Sequence, residues 1–116
     1  MKIAFPVSEK SINADIHDSF GRAPYFLIYN TISKEVDYLD HRTVAAQGGS
    51  GIRAAQVLAD YGIKIIITSQ CGENAEKFLR SAEVLIYKSI SGSIYDNVDA
   101  YQNNRLRVLS EFKTRD

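Results

Sequence analysis

Cysteine is nearly missing from this sequence, with Cys71 alone in 116 residues. A single thiol excludes an internal disulfide, and it is too few for an iron–sulfur cluster built on four protein thiolates. With the two histidines, His17 and His41, it does not close a tetrahedral zinc site unless a carboxylate joins. Neither sign of charge is in excess, since Lys plus Arg and Asp plus Glu number 14 each. That balance argues against nucleic acid as a partner, because a nucleic-acid binder normally shows a basic face. No apolar run approaches the roughly 18 residues that span a bilayer. Pro6, Ser8 and Glu9 interrupt the N-terminus before a signal-peptide core develops, so neither membrane nor secretion is expected. The cytoplasm is the simplest location for such a chain. Repeats, linkers and low-complexity segments are also lacking, which predicts one domain over 1–116, long enough to bury a real core.

Several enzyme signatures are missing as well. The glycine run at 48–51 is not Gly-x-x-x-x-Gly-Lys-Ser/Thr, so a nucleotide-triphosphate loop is unsupported. Nor does it follow the first strand, as a dinucleotide fingerprint does. A nuclease of ribonuclease H topology needs a metal-binding aspartate in the centre of that strand, and residues 3–7 contain none. Ser50, Thr68 and Ser69 are hydroxyl nucleophiles without a histidine at a telling spacing. No enzyme activity is expected.

What is present is a change of rhythm. Ile3, Phe5 and Val7 alternate as a first strand, and a polar loop over 8–23 follows. Tyr25 to Tyr29 reads as a buried strand, Asn30 to Lys34 as a hairpin turn, and Glu35 to Asp40 as a weaker strand. A second loop runs from His41 to Gly49. Ile52, Ala55, Leu58 and Ala59 then form a helix stripe that ends at Gly62. Ile63 to Ile67 is the strongest strand. Ala75, Phe78, Leu79 and Ala82 mark a second helix, Val84 to Tyr87 a fifth strand, and Ile94, Val98 and Tyr101 a third helix opened by Ser91-Gly92-Ser93. From Arg105 onward, Leu106, Val108, Leu109 and Phe112 suggest a little edge structure. The order βββαβαβα predicts an α/β fold with a mixed five-stranded sheet flanked by helices. In that topology the segments 8–23, 41–51, 70–74 and 91–93 meet at the carboxyl ends of the strands, where open α/β sheets bind ligands.

The residues placed at that end set the candidate chemistry. Gly48-Gly49-Ser50-Gly51 and Gly72-Glu73-Asn74 each precede or open a helix, where unpaired N–H groups and the helix dipole favour an anion. Cys71 stands just ahead of a helix, a position that lowers a thiol pKa; burial is the competing reading for a free cysteine. His17 and His41 lie in loops aimed at the same end, and Arg22 is a further anion partner. One thiol and two imidazoles suit a preformed metal–sulfide cluster better than a bare metal. Such a body brings its own sulfide, and needs only an anchor or two plus amide and guanidinium donors. Cys71, His17 and His41 are the candidate metal ligands.

Three segments recur here in series: Phe20-Gly21-Arg22-Ala23-Pro24-Tyr25-Phe26, Gly48 to Gln56, and Cys71-Gly72-Glu73-Asn74-Ala75. Together they resemble the dinitrogenase iron–molybdenum cofactor-binding family, a group of nitrogenase-cofactor carriers and related single-domain proteins, over about residues 1–102. The resemblance implies a ribonuclease H-like fold. It also implies non-catalytic binding of an iron–sulfur or iron–molybdenum type cluster, taken from a donor protein and delivered to an acceptor. Carried onto matching positions, it implies cofactor contacts at Ser19, Phe20, Gly21, Arg22, Gly48, Gly49, Ser50, Gly51, Gly72 and Asn74. Two positions depart from the family pattern. Ser19 stands where many members carry a histidine, with His17 two residues earlier, and Gly72-Glu73-Asn74 stands where many read Gly-Pro-Asn. The resemblance thus speaks for cluster binding more than for nitrogen fixation. The rival readings are a module for a small anion, such as a phosphate or carboxylate metabolite, and a regulatory partner domain without metal.

Overall fold

The computed structural model describes residues 1–47 and 51–109. Five strands form one sheet in the order β3-β2-β1-β4-β5. They are β1 (Lys2–Val7), β2 (Tyr25–Asn30), β3 (Val36–Asp40), β4 (Ile65–Thr68) and β5 (Leu85–Lys88). β1 is antiparallel to β2 and parallel to β4, β2 is antiparallel to β3, and β4 is parallel to β5. The mixed α/β sheet expected from the sequence is therefore the one observed. Central β1 tolerates Pro6 because its parallel pairing with β4 involves only Ile3 and Ala4 and stops before the residue without an N–H.

Strand alternation sorts the core into two layers. Ala4, Phe26, Ile28, Ile66 and Ile86 face α2 (Gly51–Asp60) and α3 (Glu73–Ser81), which bury Ala54, Ala55, Leu58, Ala75 and Leu79 against them. Ile3, Phe5, Val7, Leu27, Ile65 and Ile67 face the other way, towards Ile94 and Val98 of α4 (Ile94–Gln102). Ala14, from the loop after β1, fills out that second layer.

Local chemistry fixes the ends of these elements. Asn30 Oδ1 accepts from the N–H groups of Ile32 and Ser33 at 2.9 and 3.1 Å, closing the β2–β3 hairpin. Gly62, at φ +87°, ends α2 in a Schellman arrangement: its N–H reaches the Ala59 carbonyl and the Ile63 N–H reaches that of Leu58. Ser93 and Asp96 form a reciprocal capping box on α4. The segment after α4 lies beside β5, with Lys88 N–H bonded to the Arg107 carbonyl and Leu109 N–H to that of Ile86. That is the edge structure expected there; Phe112 lies outside the described residues.

Two expectations are corrected. The stretch after β3, read as a loop, contains a short helix α1 (Arg42–Ala46), which buries none of its residues and so leaves no periodic stripe in the sequence. In α2 the inward face is Ala54, Ala55 and Leu58, while Ile52 is exposed. Small residues face inward because α2 lies close to α3: a Cβ on Gly51 would stand 3.1 Å from the Ala75 Cβ.

The consequence for function is directional. β1, β3, β4 and β5 all finish at one end of the sheet, and the loops 8–24, 41–47, 69–72 and 89–93 gather there.

Candidate functional site

Hydrogen bonds join these loops into one rim. The Asp18 carbonyl accepts from Ser69 Oγ at 3.2 Å and from Gln70 Nε2 at 3.1 Å, tying the loop after β1 to the loop after β4. Buried Thr68 donates its hydroxyl to the Gln70 carbonyl at 3.1 Å, so the turn carrying Gln70 and Cys71 is held from beneath. Lys88 Nζ reaches the Ser69 carbonyl at 3.0 Å from β5. The His41 N–H bonds the Pro24 carbonyl at 2.8 Å, and His41 Nε2 lies 3.2 Å from the Gly21 carbonyl. The sequence marks Ser69 only as a hydroxyl and Gln70 only as part of a converging segment, and it gives no sign of their ties to Asp18, which end on a main-chain carbonyl that any residue supplies.

Cys71 sits at this rim, partly buried against the α2/α3 side of the core. The lowered thiol pKa expected ahead of a helix is not what its surroundings produce. Burial, and secondarily the Glu76 carboxylate, push the thiol up to about 12. Glu76 lies outside the stripe of Ala75, Phe78, Leu79 and Ala82 that marks this helix in the sequence, yet it is buried in α3 and paired with Arg80 at 3.2 Å. Cys71 is therefore a neutral thiol at neutral pH.

Next to it α3 opens at Gly72, an N-cap with φ −64° and ψ 156° and no side-chain capping bond. A Cβ at Gly72 would meet nothing within 4 Å. The first N–H groups of α3 thus have no side-chain cap, and the helix opens beside exposed Asn74. Glu73 and Glu76 in the first turn partly offset the positive end of the dipole.

His17 is partly buried beside Ser19. Its Nδ1 lies 3.0 Å from the Ser19 N–H and 3.1 Å from the Ser19 carbonyl. Both neutral tautomers are accommodated there; when Nδ1–H donates to the carbonyl, the Nε2 lone pair is free to bind a metal. Ser19 thus contributes through its main chain.

Phe20 is a core residue rather than a contact surface. It is 2 % exposed, with its ring centroid 5.2 Å from that of Phe26. Arg22 is exposed and has no ion-pair partner among the described residues. Gly51 serves the α2–α3 approach rather than a ligand cradle. Gly48, Gly49 and Ser50 lie outside the described residues.

His41 departs furthest from its expected role as a metal ligand. It is 5 % exposed, its ring meets Phe26 edge-on with centroids 5.4 Å apart, and Nε2 is engaged by Gly21. Burial lowers its pKa, the Gly21 hydrogen bond acting the other way and the Arg53 charge reinforcing burial. Among the described residues, no three His, Cys, Asp or Glu side chains gather to hold a metal ion, so Cys71, His17 and His41 are not one coordination group.

The donor set suits an anionic body resting on the rim, with one or two coordinating atoms at most. Cys71 offers sulfur and His17 a nitrogen; Arg22 and the opening of α3 offer N–H donors. A thiol held neutral still binds a metal, which displaces its proton.

A second groove, about 480 Å³, lies at the opposite end of the sheet beside Lys2, Asp37 and Tyr61. There Tyr61 donates to Asp37 at 2.8 Å and Lys2 Nζ stands 5.1 Å from the Tyr61 ring centroid. It holds neither the thiol nor a histidine.

Comparison with known proteins adds an independent line. The family described as dinitrogenase iron-molybdenum cofactor matches residues 1–104. Among solved structures, a Thermotoga protein described as a NifB candidate is 31 % identical, with a TM-score of 0.81 over 99 % of this chain and 98 % of that one. The apo form of the orange protein from Desulfovibrio gigas is 22 % identical, with a TM-score of 0.86 over 94 % and 92 % of the two chains. A Methanocaldococcus jannaschii protein described as a dinitrogenase candidate shares the fold at 19 % identity, with a TM-score of 0.69 over 95 % of each chain. A search of curated proteins finds no match.

Proposed function

The chain belongs to the dinitrogenase iron–molybdenum cofactor family, and we propose on that basis that it holds a sulfide-rich cluster of the iron–sulfur or iron–molybdenum type as cargo. The protein acts as a carrier or scaffold rather than as an enzyme. It accepts the cluster from one protein and yields it to another in the cytoplasm. Cys71 is the soft anchor, His17 Nε2 a second, and the N–H groups opening α3, with Arg22, face the anionic body.

The observation that carries this reading is the tie of Ser69 and Gln70 to the Asp18 carbonyl, which brings the segment of His17 and Arg22 against the turn of Cys71 and Gly72. Few coordinating atoms also fit a carrier, since cargo that must leave is held by donors that release it. The 31 % identical Thermotoga protein, described as a NifB candidate, points to the same cluster-related chemistry.

Anaerobic reconstitution with ferrous iron and sulfide tests it. The protein is expected to gain metal, acid-labile sulfide and visible absorption, and Cys71→Ala to retain several-fold less of each. A colourless, metal-free product from protein with Cys71 intact overturns the proposal. A second reading, a small anion held without metal, is favoured by the neutral state of the thiol. It predicts a thermal shift with phosphate or a carboxylate that Cys71→Ala leaves unchanged.

A further inference from the structure

We propose that His41 is a positioning residue: by donating Nε2–H to the Gly21 carbonyl it orients the Gly21–Arg22 peptide so that the Arg22 N–H is presented as an anion donor beside the guanidinium.

The geometry begins with the ring. Nε2 lies 3.2 Å from a carbonyl oxygen, which can only accept, so Nε2 carries the hydrogen. Burial favours the neutral imidazole and Arg53 adds to that, while the Gly21 hydrogen bond and Asp40 act the other way. The ring itself cannot swing away. It is 5 % exposed and wedged edge-on to Phe26, and the residue that carries it is held by its main-chain N–H, which is bonded to the Pro24 carbonyl. Phe26 in turn packs on Phe20, so three rings lie beneath the turn that carries Arg22.

The peptide then does the rest. Every described peptide bond is trans, and in a trans peptide the carbonyl and the following N–H point in opposite directions. With the Gly21 oxygen drawn to His41, the Arg22 N–H points away from His41. It has no backbone partner among the described residues, and neither does the Arg22 guanidinium have an ion-pair partner. An oriented main-chain donor and a guanidinium on one residue form a two-point receptor for an anion. The histidine thus acts through Gly21, one step removed from the cargo.

The inference rests on the cluster reading only for what the anion is. Its test has one arm that needs no cluster. Glutamine places an amide nitrogen where Nε2 stands, whereas phenylalanine keeps the ring packing and removes the donor. In ¹⁵N-resolved spectra of the metal-free protein, His41→Gln is expected to keep the wild-type Arg22 amide shift, and His41→Phe to move it. After reconstitution with ferrous iron and sulfide, His41→Phe is expected to hold the cluster about fivefold more weakly, the scale of one lost hydrogen bond; His41→Gln restores retention. Matching thermal melts for the two variants show that folding is not the cause. An Arg22 amide shift unmoved in His41→Phe overturns the proposal, as does equal retention by both variants in a wild type that loads. A wild type that fails to load sinks the cluster reading alone, and the spectra still decide the role of His41.

Discussion

At the scale of single residues, Cys71 shows two opposing influences and which one prevails. A helix start favours a thiolate, but the thiol is packed against the core and stands near the carboxylate of Glu76. Desolvation and like charge both favour the neutral form, and the result is a pKa of about 12. The free-thiol value is 9.0, so the folded state loses stability, relative to Cys71→Ala, as pH rises from about 9 towards about 12. Below that window the two forms carry the same proton and the difference vanishes. Glu76→Gln removes the like charge and leaves Arg80 behind. Iodoacetamide should then alkylate Cys71 faster at pH 8 than in the wild type. An unchanged rate would show that burial alone sets the thiol. Sequence reading left a lowered thiol pKa and burial as rivals, and burial prevails; the choice was not legible because neither the depth of Cys71 nor the inward turn of Glu76 can be read from neighbours in the chain.

At the scale of elements, the strands were the legible part. Alternation and β-branched runs identify all five strands within a residue or two, because a sheet buried on both faces leaves little freedom in its sequence. Helix faces were less legible. Ala55 and Leu58 face inward as their spacing predicts, but Ala54 does so in place of Ile52 because α2 approaches α3 closely, a tertiary fact with no local signal. Asn97, wholly buried, bonds the N–H and carbonyl of Ile90 and the carbonyl of Ser93; it holds a loop that periodicity ignores. The glycines divide by the same logic. Gly51 is a packing residue, whereas Gly72 opens α3 with free space around it and no capping side chain. Gly72→Ser is thus expected to stabilise the metal-free protein by a few tenths of a kcal/mol, since serine caps a helix better than glycine. Under the proposed function the same hydroxyl occupies an N–H offered to the cargo, so cluster retention should fall while the melting temperature rises. Retention that rises with stability would show that α3 contributes no donor to the cargo.

At the scale of the whole molecule, the sheet has two unlike ends. One gathers the loops after β1, β3, β4 and β5, with the thiol, both histidines and exposed Arg22; the other carries the hairpin and the groove beside Tyr61. Strand order settles this division, since three strands parallel to β1 must finish beside it. The convergence of distant loops was therefore readable from element order alone. The ties that make the rim one body, Asp18 to Ser69 and Gln70 and Gly21 to His41, were not. Loops joined by a few hydrogen bonds open more readily than central strands, and a bound cargo that bridges them suppresses that opening by mass action. Hydrogen exchange before and after loading should therefore show new protection at 18–22 and 71–74. Exchange at the hairpin over 30–35 should stay as it was, as should the slow core amides of β1 and β4. Protection confined to the Lys2–Asp37–Tyr61 groove would move the site to the other end of the sheet, where the described lining offers no thiol to anchor a cluster and the carboxylates of Glu35 and Asp37 repel an anion.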